Sequence, residues 1–118
     1  MAHPVMWFEV IGNDGPRLQA FYGALFDWQG KDAAAAPGYR TFDPPDSRGI
    51  PGGIGQPYPG IGRSWVTFYV GTPDVAASLE RAVGLGGTVV LPRTVLPDVT
   101  LGLFEDPEGH VVGLVEAT

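Results

Sequence analysis

The chain repeats itself, and no other feature limits its fold as much. Displaced by 60 positions, the 118-residue sequence aligns Phe8 with Phe68, Val10 with Val70, Asp14 with Asp74 and Leu25 with Leu85. The same displacement brings Asp46 onto Asp106, Gly49 onto Gly109 and Gly53 onto Gly113. These matches fall at strand, cap and turn positions in one order, as expected of a duplicated supersecondary unit.

Each half reads alike. "PVMWFEVIG" and "SWVTFYVG" are rich in aromatic and β-branched residues and suit a pleated, half-buried surface. Asp14 and Asp74 follow as N-caps, whose carboxylates accept bonds from the exposed amides of a first helical turn. Helices are predicted to run to about Phe26 and Leu85, with Gly86 and Gly87 supplying a positive-φ stop. Leu18, Phe21, Tyr22 and Leu25 fall at helical spacing and are predicted to face the core. Further strands are expected near Tyr39–Phe42 and Gly52–Gly55, then near Thr88–Leu91, Thr100–Phe104 and His110–Glu116. The order is β-α-β-β-β, twice, in an α+β fold. One domain over residues 1–118 is expected, built of repeats at about 1–58 and 62–118.

Composition narrows the function. Seven Lys and Arg against 13 Asp and Glu give a net charge of -6, which opposes long-range attraction to nucleic acid or to an anionic membrane. The absence of cysteine removes disulfides, thiolate metal sites and a thiol nucleophile. "MAHPVMWFEV" has no basic leader followed by an apolar stretch, and no run of about 18 apolar residues occurs, so a cytoplasmic protein without a membrane span is expected. The "GIG" triplets between Ile50 and Arg63 precede no helix that could aim its N-terminus at a phosphate, so they do not read as a dinucleotide loop, and no cofactor is assigned.

The runs "WFEVIGNDGPRLQAFYGALFDW", "VTFYVGTPDVAASLERAVGLGGTVVLP" and "FEDPEGHVVGLVE" resemble the vicinal oxygen chelate superfamily of glyoxalases, bleomycin-resistance proteins and extradiol dioxygenases. The resemblance covers nearly the whole chain. It implies two βαβββ modules with mixed sheets curled around one cavity, often in a homodimer. It also implies a divalent metal held by one side chain from the first and one from the last strand of each module. Those positions, seven residues before the capping aspartate and four after the turn glycine, carry Trp7, Gly53, Thr67 and Gly113 here. None is a good ligand: indole and glycine offer nothing to a cation, and a lone hydroxyl binds poorly. The usual metal site is therefore expected to be missing. His3 and His110, the two histidines, share no face with a suitable partner and read as surface or turn residues.

By strand alternation Trp7, Glu9 and Ile11 share the inferred cavity face with Trp65, Thr67 and Tyr69. Trp7, Glu9, Trp65, Thr67 and Tyr69 form the candidate ligand-binding set, suited to a small aromatic or amphipathic molecule. The same aromatics could instead simply fill the interior. Glu9 is singled out because a carboxylate among indoles is costly to bury unless paired or protonated. Arg40, Arg63 or Tyr69 are its candidate partners, and a catalytic acid–base role is its candidate function. Arg93 reads as a loop charge. The function expected is ligand sequestration or sensing, with an enzyme of the same superfamily as the alternative, metal-free through Glu9 or metal-dependent with relocated ligands.

Overall fold

The computed structural model of the chain describes residues 2–117. They divide into two compact units, residues 7–66 and residues 2–6 with 67–117.

In the first unit β1 (Val5–Ile11), which enters it at Trp7, leads into α1 (Gly15–Phe26), followed by β2 (Gly30–Asp32), β3 (Arg40–Phe42) and β4 (Gly52–Gly55). Asp14 caps α1, its Oδ1 accepting the Arg17 amide at 3.1 Å. The chain leaves α1 through Asp27 in the left-handed region, φ 57°. Strand β4 is parallel to β1 and antiparallel to β3, and β3 is antiparallel to β2. The very short β2 is the strand that the expected β-α-β-β-β order required and the sequence pattern did not locate.

Alternation along β1 assigns its two faces. Phe8 and Val10 point towards α1, where Val10, Phe42 and Ile54 form a buried core joined by Leu18, Tyr22 and Trp28. The stripe predicted on α1 is only partly buried. Leu18 and Tyr22 pack on the core, whereas Phe21 and Leu25 are each 58% exposed. The stripe spans about 100° of the helix, and only its Leu18–Tyr22 edge meets the sheet. Trp28 takes the remaining space: its ring lies 5.3 Å from Phe8, 5.9 Å from Phe42 and 6.1 Å from Tyr22, centroid to centroid.

The second unit repeats the plan with β5 (Trp65–Thr72), of which it holds Thr67 onward, then α2 (Val75–Gly84), β6 (Thr88–Val95), β7 (Thr100–Glu105) and β8 (Val111–Glu116). Asp74 caps α2 through the Ala77 amide at 3.0 Å, and Gly86, φ 103°, makes the positive-φ turn after it. Strand β8 is parallel to β5 and antiparallel to β7, with β6 antiparallel to β7 at the edge. Val75, Leu79 and Leu114 form the core, with Val70 and Phe104 against it.

Strand β6 extends through Pro92 and Arg93, a stretch that reads as loop in the sequence. The edge position makes this tolerable, since a proline there breaks no ladder that another strand needs, and the register slips between Val89 and Leu91 and again between Leu91 and Thr94. Arg93 consequently lies on a strand and meets Glu116 in a two-pronged ion pair, 2.9 and 2.6 Å. Among the described residues no helix is long and apolar enough to cross a membrane.

Candidate functional site

The residue that sequence chemistry marks as costly, Glu9, is buried in the first unit, 1% exposed. Neutral donors gather on its carboxylate. Tyr39 Oη donates to Oε2 at 2.8 Å, Tyr58 Oη donates to the same oxygen at 2.7 Å, and Trp65 Nε1 donates to Oε1 at 2.9 Å. Behind Tyr39 stands a further donor, Trp7 Nε1, at 3.0 Å from the phenol oxygen. Tyr58 and Trp65 also meet edge to face, with ring centroids 5.5 Å apart. Hydrogen bonds to an ionised acceptor are the stronger kind, and a carboxylate so surrounded has its lost hydration replaced by fixed dipoles.

Tyr39 is set in place by a glycine. Glu9 and Gly53 are register partners across β1 and β4, and Thr41 pairs with Gly53 from β3. A Cβ on Gly53 would overlap the phenol end of Tyr39, and one on Gly55 would press on the same ring. The glycines of "GGIG" thus give the ring the space to lie against β4 and carry its hydroxyl to Glu9. Burial, and after it the negative charge of Glu9, raise the Tyr39 phenol above the ordinary tyrosine range. Tyr39 therefore stays protonated and acts as a donor.

A similar exchange occurs in the second unit. Tyr69 is register partner of Gly113, and its ring fills the space a side chain on Gly113 would need. Thr67 donates its hydroxyl to the Val111 carbonyl at 2.7 Å. The four positions that the superfamily pattern marks for metal ligands are thus occupied otherwise: an indole bonded to Tyr39, a hydroxyl bonded to backbone, and two glycines overlain by phenol rings. Such a set does not fit a divalent cation. Among the described residues no three of His, Asp and Glu come together as a metal site either.

Of the sequence-derived set, Trp7, Glu9 and Trp65 come together in the first unit, while Thr67 and Tyr69 belong to the second. Arg40, one of the partners considered for Glu9, turns instead to the Gly30 carbonyl and to Asp32, 3.5 Å away. Tyr39 and Tyr58 were missed as partners. The signal available for Tyr39 was the cluster of glycines in β4, which marks close approach by a neighbour; Tyr58 sits among prolines and glycines with no periodic pattern to place it. His110 is a turn residue, with Nδ1 2.9 Å from Asp106 Oδ2 and the side chain 71% exposed.

The comparisons with known proteins agree with this architecture. A family model described as a glyoxalase-like domain matches residues 9–115. The chain is 28% identical over 120 residues to CFP32 of Mycobacterium tuberculosis, which carries a provisional glyoxylase name, covering 94% of this chain and 44% of that protein. It therefore spans less than half the length of the curated relatives it matches. Its fold is similar to a glyoxalase/bleomycin resistance protein/dioxygenase superfamily member from Vibrio splendidus, with a TM-score of 0.63 at 15% identity over 98% of this chain and 100% of that one. It is also similar to a Streptomyces coelicolor methylmalonyl-CoA epimerase, with a TM-score of 0.59 at 17% identity over 100% and 96%. With two βαβββ modules and a family match over nearly its whole length, the chain belongs to the glyoxalase-like domain family.

Proposed function

We propose that the protein binds a small aromatic or amphipathic molecule and acts by holding it, in sequestration or sensing, without a metal at the superfamily's four ligand positions. The observation that supports this reading is the exchange at Gly53, where a phenol ring stands in the place of a ligand side chain and its hydroxyl is committed to Glu9. The aromatic groups around Glu9 offer flat apolar surface. Trp7 and Tyr58, both only partly buried, would supply the stacking surface, while the hydrogen bonds from Tyr39, Tyr58 and Trp65 keep the carboxylate satisfied.

Binding is tested by titrating a panel of flat aromatic and amphipathic compounds while following tryptophan emission. A Trp7→Ala change is expected to weaken binding by about 1–3 kcal/mol if the contact is stacked and buried. Unaltered affinity in that variant would take Trp7 out of the site.

A second reading, a metal-free enzyme with Glu9 as acid or base, is favoured by one observation. Two phenol hydroxyls lie 2.7 and 2.8 Å from a single oxygen of Glu9, a geometry in which a proton can be passed. The two readings part on turnover: a ligand recovered unchanged from the protein after prolonged incubation supports holding, and a product whose formation stops in Glu9→Gln supports catalysis.

A further inference from the structure

We infer that the molecule held, on the reading just proposed, is a small phenol, and that its seat is the space filled by the Tyr39 ring, which it displaces to take over that ring's hydrogen bonds. The two units fill equivalent spaces in different ways. Displaced by 60 positions, Glu9 and Gly53 become Tyr69 and Gly113, and each pair is a register pair across parallel strands. In the second unit the ring over the glycine belongs to the strand itself: Tyr69 is 4% exposed and its ring lies on Gly113. A tyrosine at that place fills the space with no charge to bury. The first unit carries a carboxylate there instead and receives its phenol from outside the strand pair, although burying a carboxylate costs more than burying a ring. A filled interior alone does not call for that arrangement, whereas a seat for an exchangeable phenol does.

The seat already shows what it recognises. The Tyr39 oxygen accepts from Trp7 Nε1 at 3.0 Å while its hydroxyl donates to Glu9 Oε2 at 2.8 Å, so a phenol is read as acceptor and donor at once. The backbone of Gly53 and Gly55 forms the floor beneath the ring. A ligand carboxylate would meet Glu9 with like charge, and a protonated amine would offer Trp7 no acceptor; a phenol matches both. Tyr39 is placed to give way. Residues 34–38 before it are exposed, and Trp7 and Tyr39 are themselves only partly buried. The backbone is held: the Tyr39 carbonyl accepts the Ala33 amide at 2.9 Å, and the Gln19 side chain donates to the carbonyls of Gly38 at 3.0 Å and Ile54 at 2.8 Å. Exchange is thus a rotation of the Tyr39 side chain between rotamers, which leaves the sheet intact. Glu9 keeps its bonds from Tyr58 and Trp65 throughout.

The test is an NMR titration of the intact chain with 4-methylphenol, the tyrosine side chain as a free molecule, following the indole N–H signals of Trp7 and Trp65. Toluene serves as the analogue without a hydroxyl. The parent is expected to bind 4-methylphenol weakly and Tyr39→Ala about ten- to a hundredfold more tightly, because no ring of its own competes. Tyr39→Phe, which keeps the ring and loses its hydroxyl, should fall between them and carries the test where Tyr39→Ala folds poorly. Toluene should bind Tyr39→Ala at least about tenfold more weakly than 4-methylphenol does. A protein that binds flat aromatic compounds with no preference for a hydroxyl, and no more tightly in either variant, would overturn the phenol seat and leave the holding reading standing. Binding of 4-methylphenol by Tyr39→Ala but never by the parent would also overturn it, since the ring would then be fixed filling. No aromatic compound bound by the parent would overturn both.

Discussion

The phenol ring of Tyr39 fills the space in front of Gly53, the position where the superfamily pattern places a metal ligand. A glycine that looks like a loss in the sequence is, in the fold, the condition for a hydrogen bond. Its consequence is testable at a single atom. Gly53→Ala would drive a methyl group into the ring and separate Tyr39 from Glu9, so it is expected to destabilise the protein by about 1–3 kcal/mol, the usual cost of overpacking. Denaturant unfolding measures this. In a Tyr39→Ala background the same change should cost much less, and full additivity of the two would mean that the ring and the glycine are not coupled.

Glu9 should prove sensitive to an isosteric change. The donors from Tyr39, Tyr58 and Trp65 need an acceptor. In Glu9→Gln one oxygen becomes an NH2 group, which faces donors and leaves at least one bond unmade. A loss of about 1–3 kcal/mol of stability is expected. A variant as stable as the parent would show that the network contributes little to folding and would strengthen the case that Glu9 serves a ligand.

Tyr39 predicts an alkaline limit. Its phenol is raised in the folded state, first by burial and then by Glu9. In the unfolded chain it ionises near pH 10. A group whose folded pKa lies above its unfolded one contributes stability that is fully present below the unfolded value and is lost as pH rises beyond it. Stability should therefore fall above about pH 10, and absorbance titration should show that Tyr39 ionises only on unfolding. Tyr39→Phe should flatten that fall. An unchanged alkaline slope in the variant would assign it to other groups.

Metal analysis is a further check. Trp7, Gly53, Thr67 and Gly113 offer no adequate ligand set, so the purified protein dialysed against trace metals is expected to retain no stoichiometric divalent cation. Close to one equivalent of zinc, nickel, iron or manganese per chain, lost in His110→Ala or Glu116→Ala, would contradict the reading of the four positions.

The local patterns of the sequence settled the repeat, the two helix caps at Asp14 and Asp74, and the alternation that puts Trp7 and Glu9 on one face of β1 and Phe8 and Val10 on the other. These follow from periods of two and 3.6 residues, which are visible within a short window. They did not settle how much of a helical stripe would be covered: Phe21 and Leu25 satisfy the same spacing as Leu18 and Tyr22, yet Trp28, from beyond the helix, took the space in the core. Nor could they name the partners of Glu9. Tyr39, Tyr58 and Trp65 stand 30, 49 and 56 residues away along the chain, and no period reaches so far. The tertiary structure chose them through sheet register, which sets Glu9 beside Gly53, and through the missing side chain of that glycine, which lets a ring from outside the strand pair lie against it and deliver its hydroxyl to a carboxylate already withdrawn from water.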